Sequence, residues 1–228
     1  MPVSSSGHLV IAQHFFGLQP PVIFDILVHV GTLGAIVFYF RRELKVFCRP
    51  RLFWLLVIGS LPAGIVGLFL QTRIEVLFSS LQLVGVSLAL TSLLLFSTKF
   101  AGRGKIELRS LNWSKALIVG FLQALAVLPG ISRSGATITA GLWCQFKPQT
   151  AFHFSFFLAI PAIIGALILQ IPDLIAQPSF FLVQGFLGMV IAGGVGYITL
   201  KSLETILVKA KFWAFGFYCL IAAIILLT

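Results

Sequence analysis

Apolar residues recur along this chain in long, nearly unbroken runs rather than in the one-sided stripes of soluble helices. A hydrocarbon core about 30 Å thick needs roughly 20 apolar residues per spanning helix. That ruler predicts six spans, at 23–41, 52–70, 82–98, 152–171, 180–200 and 211–227. Two other stretches, 2–16 and 114–146, are moderately apolar but punctuated by Pro, Gly and Ser. The first is too short to cross. The second is broken by Pro129-Gly130-Ile131-Ser132-Arg133-Ser134-Gly135, which a continuous helix does not accommodate. The pattern therefore predicts an all-α integral membrane protein, with six transmembrane helices plus re-entrant half-helices.

Composition agrees. The 228 residues are 59% hydrophobic and 10% charged, whereas soluble domains carry roughly 25% charged residues. Disorder, an ordinary cytosolic enzyme and a nucleic-acid partner are all excluded on this basis. The net charge of +10 has a plainer use in orientation. Fourteen of the sixteen Lys and Arg residues fall in four groups: 41–51, 99–115, Lys147 and 201–211. All four lie on one side if the 114–146 stretch enters and leaves by the same face, and the positive-inside rule makes that side cytoplasmic. Cys48, Cys144 and Cys219 share no ligand-like spacing and read as small hydrophobes. No signal peptide is expected.

The two halves resemble each other. Pro2 to His8 parallels Pro129 to Thr137, Phe24 parallels Phe152, and Val84-Gly85 parallels Phe215-Gly216. Each half is a broken segment followed by three spans. An odd number of crossings inverts the second copy, so the broken segments should touch near the bilayer midplane. The chain then forms one membrane domain, 1–228, with repeat one at 1–100, a basic cytoplasmic loop at 99–115 and repeat two at 114–228.

Arg133 is the most informative position, because an arginine at membrane depth costs at least about 2.5–3.5 kcal/mol and is usually paired or lines a wet cavity. Around it stand Ser132, Ser134, Gly135 and Thr137. If a helix starts near Ser132 or Arg133, its free N–H groups and positive dipole end add to the guanidinium donors. That chemistry suits a phosphate group. Snorkelling of Arg133 to an interface, or pairing with Asp25, is the bland alternative. The first broken segment supplies Ser4, Ser5, Ser6, Gly7 and His8, with an imidazole able to move a proton near neutral pH. His14, His29 and His153 read as structural. Gln123 would hold a partner segment or a ligand. Asp25 could pair with a basic group, but one carboxylate alone is a poor site for Mg²⁺ or Ca²⁺.

These residues identify a family. P-V-S-S-S-G-H-L at Pro2 to Leu9 and L-P-G-I-S-R-S-G-A-T at Leu128 to Thr137 resemble the two signature stretches of the undecaprenyl-diphosphate phosphatases, the bacitracin-resistance proteins of bacterial inner membranes. F-D-I-L-V-H-V-G-T-L at Phe24 to Leu33, the pair Arg41-Arg42, L-P-A-G at Leu61 to Gly64 and F-S-F-F-L-A-I-P at Phe154 to Pro161 are similar to that family as well. The resemblance implies hydrolysis of undecaprenyl diphosphate to undecaprenyl phosphate and inorganic phosphate, recycling the lipid carrier for cell-wall synthesis. It implies Ser5, His8, Ser132, Arg133 and Thr137 as active-site residues, with Ser5 or a water attacking and His8 moving the proton or itself attacking. Ser4, Ser6 and Ser134 complete the expected phosphate-binding hydroxyls. The expected partners are a polyprenyl diphosphate and membrane lipid, with a homodimer compatible.

One departure carries weight. The family implies a divalent cation, Mg²⁺ or Ca²⁺, held with the help of two glutamates four apart on an apolar half-helix ahead of the first signature. Here Met1 stands directly against Pro2, and His153 stands where the family usually has a glutamate. The expectation is an N-terminally truncated chain that lacks those metal ligands. Two further readings stand beside the phosphatase: a lipid-phosphate flippase, which shares inverted-repeat architecture, and an inactive fragment.

Overall fold

The computed structural model describes residues 1–18, 22–45, 49–70, 73–102, 104–169 and 179–228. Cys48 and Arg103 lie outside the described residues. The described residues form ten α-helices and no strand. These are α1 (Ser5–Phe15), α2 (Val22–Tyr39), α3 (Pro50–Leu70), α4 (Ile74–Ser79), α5 (Leu81–Ser97), α6 (Trp113–Leu125), α7 (Arg133–Trp143), α8 (Pro148–Leu169), α9 (Ser179–Val208) and α10 (Phe215–Leu227).

Four helices are long and apolar enough to cross a bilayer: Pro50–Leu70, Leu81–Phe100, Pro148–Leu169 and Val183–Val208. The other two expected spans contain shorter apolar helices over Leu27–Tyr39 and Phe212–Leu227. The 114–146 stretch is broken as expected, into α6 and α7 with a turn between them. Two boundaries differ from the apolar ruler. Helix α9 runs to Val208 rather than ending at 200, because beyond Leu200 it becomes amphipathic: Leu200, Leu203 and Leu207 stay buried while Lys201 is exposed. Helix α8 starts at Pro148 rather than 152, since proline fits the first helical position, where an N–H has no intrahelical acceptor.

Helices pack through small residues, as association in lipid requires. Gly185 meets Leu27, Gly31 meets Met189 and Gly196 meets Ala35, so α2 and α9 run parallel. Gly85 meets Leu227 while Gly216 meets Phe96, so α5 and α10 run antiparallel. Helix α6 touches α3 where Gly120 faces the Gly59 backbone. An aromatic cluster of Tyr39, Phe40, Phe152, Phe156 and Phe157 joins α2 to α8. The outer faces carry exposed Phe69, Leu93, Ile191, Ile198 and Ile225, a surface suited to lipid and not to water.

On the basic side, the loop before α6 is stitched to the α7–α8 junction. Ile106 N–H donates to Gln145 C=O at 3.0 Å and Lys147 N–H to Ile106 C=O at 2.9 Å. The Lys147 ammonium beside Glu107 holds its carboxyl below the usual carboxylate range, although both groups are exposed. At the same end His153 on α8 lies 3.4 Å from Glu43 and 4.0 Å from Glu204, and Tyr39 donates to Glu204.

A Cβ on Gly31 would stand 1.9 Å from Met189 O, whereas one on Gly34 would meet nothing within 4 Å. Gly31→Ala should destabilise the protein by about 1–3 kcal/mol through overpacking. Gly34→Ala should be neutral or stabilising by up to ~1 kcal/mol through helix propensity. Thermal unfolding of both variants in one detergent checks this, and equal midpoints would refute the close α2–α9 approach.

Candidate active site

The two broken segments end in the same local construction. In S-S-S-G, Ser4 is the N-cap of α1 and its Oγ accepts from Gly7 N–H at 3.2 Å. In S-R-S-G, Ser132 is the N-cap of α7 and its Oγ accepts from Gly135 N–H at 3.1 Å. Serine is favoured there because its short side chain satisfies a backbone donor that the helix cannot. Both helices have 11 residues. Ser5 and Arg133 thus occupy the same first position of two matching half-helices. The caps differ in backbone: Ser4 sits at φ 63° and Ser132 at −73°. A positive φ for a serine stores on the order of 1–3 kcal/mol of strain.

The tips touch. A Cβ on Gly7 would stand 3.0 Å from Gly130 Cα, and Gly130 itself has φ +95° with room only for hydrogen, between Ser87 and the Val84 carbonyl. Glycine is required at Gly130, and at Gly7 a Cβ would press tightly on the Gly130 backbone. The first-turn N–H groups of α1 and α7 have no intrahelical acceptors, so two positive helix ends come together with the Arg133 side chain. Arg133 is half-buried, and its Nη1 is sealed from solvent with no hydrogen-bond partner among the described residues.

Hydroxyls hold the second tip. Thr91 Oγ donates to Gly130 C=O at 3.0 Å and accepts from Ser132 N–H at 3.1 Å. Thr137 donates to Arg133 C=O at 2.7 Å and lies 2.6 Å from Ser155 Oγ on α8. Ser92 donates to Gly216 C=O at 2.9 Å, tying α5 to α10.

At the first tip Ser4 Oγ lies 3.3 Å from Ser6 Oγ. Ser5 Oγ lies 3.4 Å from His29 Nε2 on α2. This contact brings an imidazole from the next helix, α2, to Ser5. The His8 ring instead bonds Ser4 C=O through Nδ1 at 2.8 Å and the Tyr218 hydroxyl through Nε2 at 2.6 Å.

Ser4, Ser5, Ser6 and His8 therefore gather at one tip, and Ser132, Arg133, Ser134 and Thr137 at the other. Gln123 is buried on α6 with both amide atoms unpartnered among the described residues, and no hydrogen bond ties it to either tip. The Asp25 side chain lies outside the described residues. His14 is exposed near the end of α1. Thr91, Ser155, His29 and Tyr218 were not singled out as site residues by sequence reasoning. A hydroxyl pair inside the apolar run Leu88 to Phe96 and the serine of F-S-F were the available signals for the first two. The tips offer hydroxyls, an imidazole and a cationic guanidinium, and no carboxylate among their described residues. This donor set fits an anion and does not fit a divalent cation.

Comparison with known proteins is consistent with this chemistry. The family model described as bacitracin resistance protein BacA matches residues 1–225. The undecaprenyl-diphosphatase of Desulfosudis oleivorans is 40% identical over 245 residues, covering 97% of this chain and 89% of that protein. That of Desulforapulum autotrophicum is 37% identical over 250 residues, covering 99% and 91%. That of Methanosphaera stadtmanae is 35% identical over 252 residues, covering 99% and 90%.

Thr91→Val keeps the side-chain shape but leaves the Gly130 carbonyl and Ser132 N–H buried without their partner. It should destabilise the protein by roughly 1–3 kcal/mol, while Ser97→Ala, at a more exposed hydroxyl that serves its own helix, should change little. Unfolding midpoints in detergent measure both, and a neutral Thr91→Val would show that Thr91 does not hold the tip.

Proposed function

We infer, since this chain belongs to the bacitracin resistance protein BacA family, that it is an undecaprenyl-diphosphatase: it hydrolyses undecaprenyl diphosphate to undecaprenyl phosphate and inorganic phosphate, recycling the lipid carrier for cell-wall synthesis. The observation that carries the site assignment is the meeting of two capped half-helix N-termini beside the unpartnered Nη1 of Arg133. The substrate headgroup supplies the negative charge that this juxtaposition demands.

In this reading Arg133, the first-turn amides and the hydroxyls of Ser4, Ser6, Ser132, Ser134 and Thr137 bind the diphosphate. They offset the charge that builds on the terminal phosphoryl group during transfer. Ser5 or a water forms a bond to the terminal phosphorus as the bridging P–O bond breaks, and undecaprenyl phosphate leaves. The attacking oxygen's proton has two imidazoles at hand, His29 beside Ser5 and His8 one turn along. If Ser5 attacks, water then cleaves the phosphoserine. The Mg²⁺ or Ca²⁺ implied by the family finds no ligand set among the described residues of the tips, and none of these steps is routed through it. Gln123 and Asp25 remain supporting polar groups in this proposal.

The single domain divides into repeat one at 1–100, a basic loop at 99–115 and repeat two at 114–228. The repeats are inverted, each with one re-entrant segment and three crossings. Support comes from the matched caps of α1 and α7 and from the antiparallel packing of α5 on α10, the third helices of the two halves. The protein resides in the plasma membrane with its basic loops cytoplasmic, as the clustering of Lys and Arg supports. The site takes its substrate from the outer leaflet, and two copies could pair as a homodimer.

Phosphate release from a prenyl diphosphate by the purified protein in detergent tests the assignment, because a flippase has no barrier to act across there. Arg133→Ala should lower kcat by roughly 10²–10³-fold, the loss seen when one oxyanion donor is removed. Unchanged release would refute the role of Arg133, and no release from the unaltered chain would favour transport or an inactive fragment.

A further inference from the structure

A cleft of about 560 Å³ opens beside the first tip, between the end of α9 and the start of α10. Its volume falls within the roughly 300–1,000 Å³ of ligand sites. Val3, Ile206, Ala214 and Phe215 form apolar walls, and Lys209 and Lys211 join them from the turn between the two helices. Tyr218 also lines the cleft, one helical turn further along than Ala214. The cleft therefore runs from a basic turn along the start of α10 toward the first tip.

The local backbone explains why two lysines separated by one residue share this cleft. Ala210 adopts φ 55°, its N–H donates to Leu207 C=O at 3.0 Å, and Lys211 N–H donates to Ile206 C=O at 3.1 Å. This left-handed cap satisfies carbonyls at the end of α9 and turns the chain, so Lys209 and Lys211 flank the turn and line the same cleft. Both lysines are exposed, and no carboxylate among the described residues pairs with either ammonium. Trp213 follows, half-buried, with the Lys99 ammonium 5.3 Å from its ring centre. Tryptophan and lysine side chains together favour the level at which a membrane meets water. The charged end of the cleft thus sits at headgroup depth, and its apolar walls extend into the hydrocarbon.

We propose that this cleft binds an anionic phospholipid, with its phosphate between Lys209 and Lys211 and the first part of an acyl chain against Val3, Ile206 and Phe215. Inorganic phosphate would pair with the lysines but leave the apolar walls bare. A zwitterionic lipid would fill the walls but leave the lysine charge unmatched. Basic pockets between membrane helices take anionic headgroups for this reason. The site goes beyond the hydrolytic reading, and none of its lining residues is assigned to the diphosphate. Val3 belongs to the first broken segment and Tyr218 bonds His8, so a bound lipid ties the α9–α10 turn to the first tip and stabilises the folded chain.

Native mass spectrometry and unfolding midpoints of the full chain in detergent test this, with phosphatidylglycerol, phosphatidylcholine and inorganic phosphate as probes. The unaltered chain should bind phosphatidylglycerol roughly tenfold more tightly than phosphatidylcholine, as two lysines at headgroup depth imply. Phosphatidylglycerol should also raise the midpoint most. The double variant Lys209→Gln/Lys211→Gln should bring the two lipids within about twofold of each other. Lys105→Gln/Arg109→Gln removes the same charge from another exposed part of the basic face and should keep the preference. Ala214→Phe fills the cleft without changing charge, and should weaken phosphatidylglycerol binding roughly tenfold, as expected for about two methylenes kept out of the site. Equal loss of preference in both double variants would show diffuse attraction to the basic face. Undiminished binding in Ala214→Phe would show that no chain enters the cleft. A midpoint rise with inorganic phosphate equal to that with phosphatidylglycerol would show a site for the headgroup alone. Each of these three results overturns the proposal and leaves the hydrolytic reading as it stands.

Discussion

Everything about this site follows from bringing two helix N-termini and one guanidinium to the same point within an apolar protein. Each element alone is unfavourable there. Unpaired amides and a desolvated cation are costly in a low dielectric, and like-signed ends repel one another. A polyvalent anion reverses the sign of all these terms at once. The glycine contact between Gly7 and Gly130 makes the arrangement possible, because a Cβ on Gly7 would press on the Gly130 backbone and one on Gly130 would run into Ser87 and Val84 of α5.

Holding that arrangement falls to hydroxyls rather than to salt bridges. Thr91, Thr137 and Ser155 satisfy backbone or each other around the second tip without adding charge. A carboxylate placed there would neutralise Arg133. Small neutral donors keep the guanidinium available while removing the penalty of unsatisfied backbone groups in a broken helix. The cap serines do the same for the Gly7 and Gly135 amides, and they leave the first two amides of each helix open.

The two tips share a serine cap but differ in chemistry. The first helical residue is Arg133 in α7 and Ser5 in α1, so one tip carries a cation and the other a hydroxyl. The first tip also draws imidazoles to itself, His29 from the helix that follows and His8 within its own first turn.

The long apolar runs sufficed to predict helices in lipid, since burial of backbone polar groups leaves no other structure for such segments. Pro129 and Gly130 determined that the second half contains a break, and the S-x-x-G pattern determined that a capped helix restarts after it. Ser4 to His8 and Ser132 to Thr137 were legible as two clusters for the same reason, because capping is local chemistry. Which imidazole faces Ser5, and what steadies His8, depended on α2 and α10 arriving from 24 and 210 residues away. Helix faces rotate by small amounts that no local pattern records, so those pairings were decided only by the packing of Gly31 on Met189 and of Gly216 on Phe96. The sequence by itself determined the membrane helices, the two caps and the cation; the tertiary structure decided that they meet, because contact between distant glycines is set by how whole helices pack.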